Sequence, residues 1–87
     1  MPAGATPAII DDFNTGNSLL AAGKASEAID KLKQVTAKLP GFAIAHMQLG
    51  QALARVNRND EAITELELAD KLSPNNQHVM AFMGQIY

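Results

Sequence analysis

The chain has 87 residues, 47% of them apolar and 18% charged, with a net charge of -2; this is the balance of one ordinary globular domain and excludes a disordered or fibrous segment. Seven Lys and Arg residues among nine acids form no basic cluster, which argues against nucleic acid and against a membrane surface as partners. With no cysteine there is no disulfide, thiolate zinc site or thiol nucleophile, and no apolar run reaches the roughly 18 residues of a membrane span.

The opening MPAGATP lacks the charged and apolar regions of a signal peptide, so residues 1–8 read as an arm or linker. A helix is expected over about 9–22, then the short break GKA, then a second helix over 26–38. In that second helix Ala28, Leu32, Val35 and Leu39 recur at steps of four, three and four, which lines them up as one apolar stripe. Ser26 is expected to cap it, and Glu27 suits the positive end of its dipole. Pro40 closes the pair, because proline donates no helical hydrogen bond and drives its predecessor out of the α region. A third helix follows over about 43–56, then NRN, then a fourth with Asp60 as its expected cap and Glu61 in its first turn, closed by Pro74. A fifth is expected over 77–87.

A shift of 34 residues superimposes Gly16 on Gly50 and Gly84, Leu19 on Leu53 and Tyr87, Glu27-Ala28-Ile29 on Glu61-Ala62-Ile63, Leu32 on Leu66, and Pro40 on Pro74. A period of that length defines the unit that must fold, here a helical hairpin. Glycine in mid-helix costs about 1 kcal/mol relative to alanine, so its recurrence asks for a compensating close approach: Gly16 is expected to face Ala28, and Gly50 to face Ala62, with Leu19 and Leu32 alongside. Gly-x-x-Leu, then Ala-x-x-x-Leu, then Pro at this period resembles the tetratricopeptide repeat. The resemblance covers residues 9–87, and the second unit is the better copy, with LGQAL at 49–53, DEAITEL at 60–66, Ala69 and Pro74. Asp12 and Thr15 depart from it, standing where the family usually has a bulky aromatic and a leucine. The resemblance implies an all-α solenoid of antiparallel helix-turn-helix repeats in a right-handed superhelix: repeat 1 over 9–42, repeat 2 over 43–76, and the first helix of a third over 77–87.

In this family the first helix of each unit lines a concave face. The resemblance therefore implies a groove floored by Ile10, Phe13, Asn17 and Leu20, by Ile44, Met47, Gln51 and Ala54, and by His78, Ala81 and Gln85, mainly apolar and suited to an apolar or amphipathic peptide or partner protein. The same stripe would equally suit burial against the protein's own chain. Members that bind chaperone C-terminal tails hold the terminal carboxylate with a Lys-plus-Asn pair, a second Asn, and a Lys-plus-Arg pair. Here the matching places hold Phe13 with Asn17, Gln48, and His78 with Phe82, so only Asn17 agrees and no chaperone-tail binding is expected.

The fifth expected helix has almost no polar face, which implies either further repeats beyond Tyr87 or a homo-oligomer built on that face. The second helix of unit one is mostly basic and that of unit two mostly acidic, read as a solvated convex surface with weak ion pairs. Catalysis finds little support. Neither His46 nor His78 has a second ligand at metal spacing, Asp11 and Asp12 point apart on a helix, and no glycine-rich phosphate loop follows a strand, so no metal or cofactor is expected. Three readings remain: an interaction module with a concave groove, a self-assembly or spacer unit, and an accessory domain of a larger enzyme.

Overall fold

The computed structural model describes residues 6–73, in four helices: α1, Pro7–Ala21; α2, Ala25–Lys38; α3, Ala43–Arg55; and α4, Asn59–Leu72. The described residues contain no strand. The expected fifth helix over 77–87 lies outside them, as do Pro74, His78, Ala81, Gly84 and Gln85.

α1 begins two residues earlier than the apolar pattern suggests. Thr6 has extended backbone and its hydroxyl accepts from the Ile9 N–H at 3.3 Å, while Pro7 occupies the first helical position. Proline is tolerated there because that N–H has no helical acceptor in any case. The expected arm therefore gives way to helix at residue 7.

α1 and α3 end in the same way. Gly23 is left-handed, with φ 83°, and Asn57 stands 34 positions on with φ 65°. The Lys24 N–H donates to the Leu19 carbonyl at 2.8 Å and the Gly23 N–H to Leu20 at 3.1 Å; Arg58 donates to Leu53 at 2.9 Å and Asn57 to Ala54 at 3.1 Å. This double bond to the last helical turn is the Schellman arrangement, which glycine enters freely and asparagine tolerates.

That tight exit corrects the expected caps. The chain re-enters a helix directly after the left-handed residue, so Lys24 and Arg58 become the caps and neither uses its side chain as one. Ser26 and Asp60 fall inside the first turn instead of before it. The acidic residues still meet the helix dipole, with Glu27 in the first turn of α2 and Asp60 and Glu61 in that of α4. At the other ends, Leu39 (φ -126°, ψ 74°) precedes Pro40, and Ser73 (φ -139°, ψ 78°) precedes Pro74. Both lie outside the α region, as the residue before a proline must.

α1 packs against α2, α3 against α4, and α2 against α3, whereas the backbones of α2 and α4 stay apart. Ala28, Leu32, Val35 and Leu39 are all buried, together with Ile29, Leu49, Leu53, Ala62, Leu66 and Ala69. Leu19 lies half-buried at the edge of this core. The glycines face leucines first, a correction to the expected alanine partners. A Cβ on Gly16 would stand 2.9 Å from Leu32 Cγ, and one on Gly50 2.8 Å from Leu66 Cγ and 3.1 Å from the Ala62 carbonyl oxygen. One turn separates Ala28 from Leu32 and Ala62 from Leu66, and the longer side chain lies back over that turn, into the space above the glycine.

Candidate functional site

α1 and α3 run side by side with only light contact, and between them lies an open cleft of about 280 Å³ lined by Asn17, Leu20, Ala21, Gln48, Gln51 and Arg55. Asn17 and Gln51 are equivalent positions of the two units, 34 residues apart. Arg55 closes one end, its Nη1 donating to the Leu20 carbonyl oxygen at 3.1 Å. The Asn17 amide oxygen is buried and has no hydrogen-bond partner. Leaving such a group unsatisfied costs about 1–3 kcal/mol.

Of the eight expected groove residues within the described chain, the cleft brings together Asn17, Leu20 and Gln51. The others are distributed differently. Phe13 is half-buried and meets Phe42 with ring centroids 4.9 Å apart and planes tilted by 45°, and it packs against both parts of the core. Met47 is buried, Ile10 and Ala54 half-buried, and Ile44 is 47% exposed. The lining is thus richer in amides and charge than the apolar stripe suggested. Its additional members, Gln48 and Arg55, sit three before and four after Gln51, a spacing readable as one polar edge of α3.

A second polar cluster lies at the start of α3. His46 is buried, and its Nε2 stands 2.8 Å from the Pro40 carbonyl oxygen while its Nδ1 stands 3.3 Å from Glu65 Oε2. Carbonyl and carboxylate both only accept, so a neutral ring with its single N–H satisfies one of them, whereas the doubly protonated ring donates to both. The Glu65 hydrogen bond accordingly holds the pKa above the ordinary 6.5, against the downward pull of burial, and the Pro40 carbonyl and the Glu65 charge act in the same raising direction. The cluster pins the turn between the two hairpins to α4. The sequence does not reveal Glu65 as the partner of His46, because the pair forms only when α4 folds back on α3.

With its folded pKa raised, this contribution to stability is fully present below the unfolded value near 6.5 and is lost as pH rises through the folded one. The thermal midpoint is expected to decline as pH rises above about 6.5 and through the raised pKa, and His46→Gln should flatten that part of the profile. An equally steep profile in the variant would assign the slope to another group.

Among the described residues no three His, Cys, Asp or Glu side chains converge as metal ligands, and no helix is long and apolar enough to cross a membrane. Two hairpins of like geometry, capped alike at a fixed interval and leaving a cleft between their first helices, define a helical-repeat protein. The tetratricopeptide repeat family model matches residues 19–86, and the chain belongs to that family. Repeats of this family generally mediate protein–protein interaction and are typically non-catalytic. No curated protein matches the chain.

Proposed function

We propose that the chain is a non-catalytic interaction module, with repeats over 9–42 and 43–76, that holds an extended segment of a partner protein in the cleft between α1 and α3. The observation that carries this reading is the amide-lined cleft itself, where Asn17 and Gln51, equivalent positions of the two units, stand on facing helices. The half-buried Asn17 side chain is suited to pair with the main chain of an extended peptide. Gln48 and Gln51 offer further donors and acceptors of the same kind, and half-exposed Ile44 offers an apolar contact further along the same helix. Side-chain amides pair with any peptide main chain, so this set gives affinity, and selectivity rests on the flanking Ile44 and Arg55.

A displayed library of random 12-residue peptides tests this. Clones selected on the wild-type chain should bind Asn17→Ala/Gln51→Ala at least about tenfold more weakly, the worth of one or two lost hydrogen bonds. The same double variant should keep its unfolding midpoint or gain slightly, since Asn17→Ala removes an unsatisfied buried group. Equal binding by the variant would remove the cleft from consideration.

A further inference from the structure

Arg55, one turn beyond Gln51 on α3, is the single charged residue lining the cleft between α1 and α3. Its bond to the Leu20 carbonyl oxygen holds the guanidinium over the end of α1. A guanidinium carries several N–H donors in a fixed fork, and a bond to a neutral carbonyl leaves its charge uncompensated. Among the described residues no carboxylate stands within ion-pair distance of it, whereas Lys31, His46 and Arg58 each meet one. On its other side Arg55 lines a second hollow of about 530 Å³, together with the Gly23–Glu27 turn and Val56. There Lys24 and Glu27 offset one another, so the charge that faces an occupant where the two hollows meet is that of Arg55.

We infer that Arg55 determines the specificity of the cleft, and that the extended partner segment carries an internal Asp or Glu whose side-chain carboxylate takes the guanidinium fork. This assignment rests on the cleft being a peptide site and adds the chemical class of what it takes. Guanidinium and carboxylate match in charge and in planar geometry, and the pair can form two parallel N–H···O bonds. The amides of Asn17, Gln48 and Gln51 pair with any main chain, whereas an unpaired cation discriminates by sign, favouring an acidic side chain and opposing a basic one. The carboxylate belongs to a side chain and not to a chain end, because an extended segment passing Arg55 continues from the cleft into the second hollow. A doubly charged phosphate is opposed there by Glu27, and phosphate recognition uses clusters of arginines where this site has one.

Clones of the random peptide library that bind the wild type and fail on Asn17→Ala/Gln51→Ala are expected to share an Asp or Glu at one position. Synthetic peptides of these clones, with free and with amidated C-termini, should bind the wild type alike. Alanine at the shared position should weaken that binding about fivefold or more, and by less at high salt. Arg55→Gln should bind the acidic and the alanine peptides equally, and Arg55→Lys should keep part of the preference. A parallel selection on Arg55→Glu should return Lys or Arg at the same position. That reversal separates recognition from the tie to Leu20, since loss of the tie lowers the urea midpoint without changing which peptide is preferred. Cleft-dependent clones without a shared acid, or an acid needed equally by Arg55→Gln, would overturn the assignment and leave the cleft as a peptide site. Binding abolished by amidation would move the carboxylate to the chain end and overturn it as well. If no clone depends on Asn17 and Gln51, the cleft itself fails as a peptide site and this assignment fails with it.

Discussion

Truncation of Leu66 to alanine is expected to lower the unfolding free energy by about 4 kcal/mol, in the upper part of the range for buried leucines. Leu66 is fully buried, and the residue it covers is Gly50, which has no side chain to move into the space left behind. The cost of such a truncation grows with the cavity that survives relaxation, and here the opposing helix can fill it only by shifting as a rigid rod. Against a total of roughly 5–10 kcal/mol for a chain of this size, one substitution removes about half the margin. Leu32 stands in the same relation to Gly16 and should behave alike. An unfolding free energy from urea titration for Leu66→Ala within about 1 kcal/mol of wild type would mean that the hairpin closes up freely and that its packing is looser than the distances imply.

Gly50→Ala sets two effects against each other. Helix propensity favours alanine by about 1 kcal/mol, whereas overpacking costs about 1–3 kcal/mol. The geometry decides in favour of the penalty. The new methyl would stand 2.8 Å from Leu66 Cγ and 3.1 Å from the Ala62 carbonyl oxygen. Neither is a flexible chain end, and the carbonyl belongs to helix backbone. A net loss of about 1–2 kcal/mol follows. At Gly16 the crowding atoms all belong to side chains, Leu32 and Lys31, so Gly16→Ala should lose less. Combining Gly50→Ala with Leu66→Ala gives the sharper measurement: the methyl then enters the cavity, and the pair should be less damaging than the sum by about 1 kcal/mol or more. Strict additivity would show that the two residues do not share that space.

Much of the fold was legible because the information lay in single residues with strong backbone consequences. Pro40 and Pro74 end helices whatever surrounds them, and the 34-residue recurrence of Gly, Ala and Leu announced a repeated hairpin. The caps were misread for a related reason. Ser26 and Asp60 are good capping residues, but the left-handed exits at Gly23 and Asn57 brought the chain into its next helix before reaching them. The 34-residue shift pairs Asn57 with Gly23, and asparagine tolerates a left-handed exit, so both exits could have been read from the sequence.

What the sequence determined by itself was the all-helical hairpin, its period and its core stripe, since these follow from propensity, proline and the 3.6-residue turn, each acting over a few neighbouring residues. Only the tertiary structure decided which leucine covers each glycine, that His46 meets Glu65, and that the cleft between α1 and α3 is lined by amides and a guanidinium. Those outcomes depend on the angle and separation of packed helices. A helix wheel has no access to them, because it records which way a side chain points and not what stands opposite.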